Sequence, residues 1–144
     1  MSNETIKNHA AFIWSVADLL RGDYKQSETP GADAALDLLR ESRAVVPTIW
    51  SLEVANVLLG AQRRQRISEA QVTRFVRLLG SLPINTDAEP IDIIVLLSLG
   101  RRHSLSAYDA AYLELAERLG APLATLDIKL ADAAKTAGVR VLAR

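Results

Sequence analysis

The sequence predicts an α/β fold, a parallel sheet with helices packed on both faces, and three observations carry that reading. Short apolar runs such as Ala44-Val45-Val46 and Leu123-Ala124-Thr125-Leu126 have the length of buried strands. The segments between them place apolar residues at helical spacing. The two patterns alternate along the chain, as in crossover units whose strands run parallel. The crossovers are expected to be right-handed.

Residues 1–28 read differently from the rest. Ser2 and Asn3 are N-cap types, and Ile6, Ala10, Ile13, Trp14, Ala17 and Leu20 recur at helical spacing. One amphipathic helix is expected over about residues 3–21, stopped by Gly22. Residues 23–31, DYKQSETPG, read as a polar linker with a Pro-Gly turn. Residues 29–144 then form the main domain. A helix is expected over 32–43 and a strand at 44–46, ended by Pro47. A long helix over 48–66 follows, apolar on nearly every side and therefore expected to be mostly buried. Ser68 opens the next helix, with Val72, Phe75, Val76 and Leu79 on its core face. A short strand lies near Asn85 and Thr86. The helix over 89–99 is closed by Gly100, and the one opened by Ser106 is stopped by Gly120. After the strand at 123–126 come a helix over 128–137, ended by Gly138, and a last strand at 139–142.

Composition narrows the chemistry. At 144 residues, about half of them apolar, the chain suits one soluble domain. It contains no cysteine, which excludes disulfides and thiolate metal sites and points to a cytoplasmic setting. His9 and His103 are too far apart for a metal-ligand spacing. The formal net charge is zero, so bulk charge does not drive nucleic-acid binding. Cations are nevertheless grouped: Arg63, Arg64 and Arg66, then Arg74 and Arg77, then Arg101 and Arg102. Each group also suits a solvated helix end. No signal peptide or membrane span is expected.

Open parallel sheets place their sites at the carboxyl ends of the strands. Three acids fall there. Glu53 lies in WSLEVANVLLG, a setting where an unpaired carboxylate is costly. Asp109 lies in Ser106-Ala107-Tyr108-Asp109, which also has the form of a capping box. Asp127 directly follows the strand at 123–126 and also suits an N-cap. Ser106, Thr125 and Asn56 stand nearby as hydrogen-bonding partners or as ordinary caps. Carboxylates gathered without bases repel one another, and a hard cation such as Mg²⁺ or Mn²⁺ is their natural partner. Such a site suits phosphodiester hydrolysis.

Three stretches carry a family resemblance: PTIWSLEVANVLL, LSAYDAAYLELAERLGAPLATLD and the tail AAKTAGVRVL. They resemble the VapC-type PIN-domain toxins, over about residues 29–142. The resemblance implies a PIN-like α/β/α sandwich and a metal-dependent endoribonuclease of a type II toxin–antitoxin system. It implies an RNA substrate, a cognate antitoxin and a homodimer, and it gives the metal-binding, catalytic roles to Glu53, Asp109 and Asp127. The family begins with a short strand ending in a ligand aspartate, and this chain has no plain counterpart. Residues 1–28 instead resemble the first helix of the methyltransferase subunit of type I restriction systems, without a cofactor loop. The chain thus reads as a join of two unrelated genes or as a mis-started gene model, its first strand replaced by a helix. In the other reading of this segment, Phe12 to Asp18 replaces the strand and Asp18 supplies the ligand. The alternative function is a catalytically impaired module that binds an antitoxin or itself. A receiver domain would need a paired acidic start and a phosphoacceptor aspartate after a central strand, and the sequence offers neither.

Overall fold

Three apolar residues near the N-terminus form the middle of the sheet. The computed structural model describes residues 11–15 and 37–142. Phe12–Trp14 is strand β1, and all three of its side chains are buried. It runs parallel to β2 (Ala44–Pro47) on one side and β4 (Leu123–Ala124) on the other. Strands β3 (Ile84–Asp87) and β5 (Val141–Leu142) complete a five-stranded parallel sheet in the order β3-β2-β1-β4-β5.

The helix expected over residues 3–21 is therefore corrected at residues 12–14, which are strand. The replacement of the first strand by a helix falls with it, while the α/β class and the parallel sheet stand. The physical reason is the vacancy that β2 and β4 would otherwise enclose. The Phe12 amide donates to the Arg43 carbonyl at 3.0 Å, and the Ile13 amide to that of Pro122 at 2.8 Å. Buried backbone groups left unpaired would cost more than a local helical preference returns. Residues 3–10 and 16–21 of the expected helix, the linker and Asp18 lie outside the described residues.

Five helices follow, after a helical stretch at 37–41. They are α1 (Ile49–Arg63), α2 (Glu69–Ser81), α3 (Ile93–His103), α4 (Ala107–Leu119) and α5 (Ile128–Thr136). Side chains alternate across a strand, and paired residues share a face. Trp14 packs against Trp50 of α1, ring centroids 6.1 Å apart, so α1 covers the face of Phe12 and Trp14. Asp87 lies on the opposite face by register with Pro47, and it pairs with Arg118 of α4. Helices thus stand on both sides of the sheet. The central one is α4, with Ala110, Ala111, Tyr112, Leu113, Leu115, Ala116 and Leu119 all buried.

Local chemistry sets the boundaries. Ser68 caps α2 through a complete capping box with Gln71. Gly120 (φ 61°) and Gly138 (φ 80°) take the left-handed turns that end α4 and α5. Three expectations shift. Helix α1 is only one-sided: Trp50, Val54, Leu58 and Ala61 are buried, whereas Leu52 is 69% exposed. Helix α2 buries no residue fully, and Val76, placed on its core face by spacing, is exposed. Helix α3 begins at Ile93 behind an Asp92 cap and runs past Gly100 to His103, ending on left-handed Ser104.

Candidate active site

The carboxyl ends of the parallel strands carry the candidate residues. Glu53 sits in the second turn of α1, the helix that follows β2. Its Oε1 accepts a hydrogen bond of 2.6 Å from the phenol of Tyr112. Tyr112 is wholly buried in α4, three residues after Asp109. Residues three apart share a helix face, so Asp109 stands one turn from the group that holds Glu53. Ser106 positions Asp109 by accepting its amide proton at 3.1 Å. The half-capping box and the candidate acid are therefore the same residues, as the sequence allowed.

Asp127 is anchored twice. Its amide donates to Thr125 Oγ1 at 3.1 Å, and its Oδ1 accepts from the Leu130 amide at 2.9 Å, capping α5. Thr125 is buried, and β4 beside it is a direct neighbour of β1. Asn56, a possible partner of Glu53 by spacing, is exposed.

Ser15 lies at the carboxyl end of the central strand. Its amide donates to the Ala124 carbonyl at 3.0 Å, continuing the β1–β4 ladder. Its hydroxyl is buried and has no hydrogen-bond partner among the described residues, as is also true of Trp50 Nε1 and His103 Nε2. The residue that follows β1 is thus neutral.

The donor set is all oxygen and anionic, which suits a hard divalent cation. Placement is less complete. Among the described residues, no group of three or more His, Cys, Asp or Glu stands where it could hold one metal ion. The structure ties Glu53 to the helix of Asp109 and sets Asp127 at the end of β4, without gathering the three into a ligand cage.

Besides Ser15, two features escaped the sequence reading. Tyr112 was one more apolar-context residue of a buried helix, and only its spacing from Asp109 singles it out. The other is an ion-pair cluster on the same helix. Arg118 contacts Glu114 Oε1 and Asp87 Oδ2, each at 2.6 Å. These hydrogen bonds, first to Glu114 and then to Asp87, push the guanidinium further toward its charged form. The cluster fastens the edge strand β3 to α4; Glu114 and Arg118 stand four apart on one helix face, but no spacing rule relates Asp87 to them.

One cation group lies away from Glu53. Arg63, Arg64 and Arg66 are exposed around the C-terminal end of α1. At 1.5 Å per residue, Arg63 stands about 15 Å along the helix from Glu53. Among the described residues, no helix is long and apolar enough to cross a membrane.

Comparison with known proteins adds an independent line. The family model described as PIN domain matches residues 23–136. Ribonuclease VapC3 of Pyrobaculum aerophilum is 36% identical over 84 residues, covering 56% of this chain and 63% of that protein, just under two thirds of its length. The VapC ribonuclease Mb0985 of Mycobacterium bovis is 32% identical over 98 residues, covering 68% of this chain and 76% of that protein. A crystal structure of PAE2754 from Pyrobaculum aerophilum superposes with a TM-score of 0.69 at 20% identity. That superposition covers 92% of this chain and 90% of the other, a likeness of fold.

Proposed function

Because the chain belongs to the PIN-domain family, we propose that it is an endoribonuclease, the toxin of a type II toxin–antitoxin pair acting in the cytoplasm. The observation that carries the proposal is the Glu53–Tyr112 hydrogen bond, which fastens the acid of α1 to the helix of Asp109. The printed names of the curated relatives support ribonuclease as the activity.

In this reading Glu53, Asp109 and Asp127 form an anionic edge that holds Mg²⁺ or Mn²⁺. The cation would supply charge neutralisation at the phosphodiester. The chain's own groups position the acids: Tyr112 holds Glu53, Ser106 sets the first turn of α4, and the cap with Leu130 orients Asp127. Arg63, Arg64 and Arg66 offer phosphate contacts distant from the acids, which position RNA without reading its bases. A cognate antitoxin and a second copy of the chain complete the set of proposed partners.

Two observations favour a second reading, a catalytically impaired module that binds its antitoxin or itself. Ser15 places a neutral hydroxyl at the end of the central strand, and the three acids are not gathered as a cage. Two measurements on the native chain and on Asp109→Asn separate the readings. Thermal unfolding with added Mn²⁺ reports metal binding, since a ligand of the folded state raises the midpoint. Cleavage of a mixed RNA substrate reports activity. The nuclease reading expects a Mn²⁺-dependent midpoint rise and cleavage, both lost in Asp109→Asn with folding intact. A native chain that unfolds cooperatively but neither responds to Mn²⁺ nor cuts RNA overturns it in favour of the binding module.

A further inference from the structure

Each of the three candidate acids has an exposed apolar side chain as its neighbour in the chain. Leu52 adjoins Glu53 and is 69% exposed, Tyr108 adjoins Asp109 and is 61% exposed, and Ile128 adjoins Asp127 and is 63% exposed. A scattered apolar side chain on a surface needs no explanation. One beside every candidate acid makes an apolar rim on an anionic edge. Tyr108 alone of the three carries a flat aromatic ring. It stands four residues before Tyr112, so the two rings share a face of α4. Tyr112 is wholly buried, and its hydroxyl holds Glu53. One turn earlier the core has ended, and the Tyr108 ring meets solvent at the carboxyl edge of the sheet.

Chemistry chooses what the ring receives. A nucleotide presents two kinds of surface, a charged phosphate and an apolar base face. The phosphodiester belongs at the acids and their cation, as proposed above. The base needs apolar cover, and an aromatic ring supplies it whatever the base, since every base has a π-face. Adjacent Cα atoms lie about 3.8 Å apart, so a phosphate engaged at Asp109 brings a neighbouring base within reach of the ring at 108. Only an unstacked base offers that face, as in single strands, loops and bulges. Leu52 and Ile128 offer apolar contact without a plane.

We propose that Tyr108 is the base-stacking residue of the site, its ring packing on an unpaired RNA base next to the phosphodiester engaged at Asp109. The proposal rests on the nuclease reading above and adds to it a group that orients the substrate. The contact singles out no base, because stacking is tolerant of sequence. It fixes where the strand comes to rest against the acids, which phosphate contacts with distant arginines leave undetermined. Its loss therefore weakens the binding of RNA that carries bases and leaves metal binding as it was.

The test is a cycle between the residue and the base. Fluorescence anisotropy measures binding of a labelled single-stranded RNA of mixed sequence, and of an abasic strand of the same length and charge. Ca²⁺ replaces Mn²⁺, and a gel verifies that the RNA stays intact. The native chain should prefer the strand that carries bases. Tyr108→Ala should weaken binding of that strand about tenfold and leave the abasic strand unchanged. Tyr108→Phe should bind like the native chain, because the ring stacks without its hydroxyl. Thermal unfolding, with and without Mn²⁺, should be the same in all three chains, since an exposed side chain supports neither the core nor the metal. A Tyr108→Ala chain that binds the base-bearing strand as tightly as the native one overturns the proposal and leaves the ring to a protein partner. So do equal losses on both strands, a Tyr108→Phe chain that binds no better than Tyr108→Ala, or a Mn²⁺ response lost with the ring. A native chain that binds neither strand overturns the nuclease reading as well. One that binds and cuts RNA without need of the ring overturns this proposal alone.

Discussion

Asp127 accepts the Leu130 amide, so replacing it has a structural part and an electrostatic part. Asparagine caps as well as aspartate does, whereas alanine forfeits about 1 kcal/mol. Asp127→Asn should therefore keep the urea midpoint and lose RNA cleavage, while Asp127→Ala loses both. Equal activity in Asp127→Asn and the native chain would reduce Asp127 to a cap. Tyr112→Phe removes one hydroxyl from a fully buried ring. It should cost about 1–2 kcal/mol in urea unfolding, since Glu53 is left short of a donor. Its cleavage rate should fall further than that stability loss explains. Glu53 stood out in sequence because a carboxylate in an apolar run demands compensation, and Asp109 and Asp127 because they were expected at the carboxyl edge of the sheet; the roles given to all three are proposals. Tyr112 did not stand out, because a tyrosine in an apolar helix is ordinary core until its hydroxyl finds a partner. Ser15 was hidden for a different reason: its segment read as helix, so nothing placed it at a strand end.

Among the elements, the helices with chemical punctuation were read closely. Ser68, Ser106, Asp127, Gly120 and Gly138 all act where their residue types suggest. Gly100 misled, because a glycine near a helix end suggests a stop. Here it permits a close approach: a Cβ at Gly100 would sit 3.1 Å from the Leu105 carbonyl oxygen. The amide of Leu105 in turn donates to the Gly100 carbonyl at 3.0 Å. Gly100→Ala should therefore destabilise the protein, against the usual helical preference for alanine. Gly80 in α2 is the control, since a Cβ there meets nothing within 4 Å. Gly80→Ala should stabilise by about 0.5–1 kcal/mol. Thermal midpoints of the two variants should move in opposite directions, and a shared upward shift would remove the packing role of Gly100.

For the molecule as a whole, the decisive element is the shortest to have been misread. Phe12-Ile13-Trp14 is too brief for either period to settle, and its flanks favoured the helical one. What decides its state is remote from it, in the edges that β2 and β4 present to each other. Ile13 is wholly buried and pairs with Val45 on one side and Leu123 on the other. Ile13→Ala should cost about 2–5 kcal/mol, a large share of the roughly 5–15 kcal/mol that holds a domain together. Urea unfolding measures this, and a loss below about 1 kcal/mol would mean that β1 is dispensable to the sheet. The position of β1 also governs when the protein can mature. The strand leaves the ribosome long before one of its two partners, Leu123, which lies far later in the sequence. Pairings so distant in sequence form slowly. Throughout synthesis the nascent chain must carry an apolar strand with one edge open, the condition in which aggregation competes with folding. Any nuclease activity is withheld for the same interval, because Asp109 and Asp127 emerge only as the sheet becomes able to close.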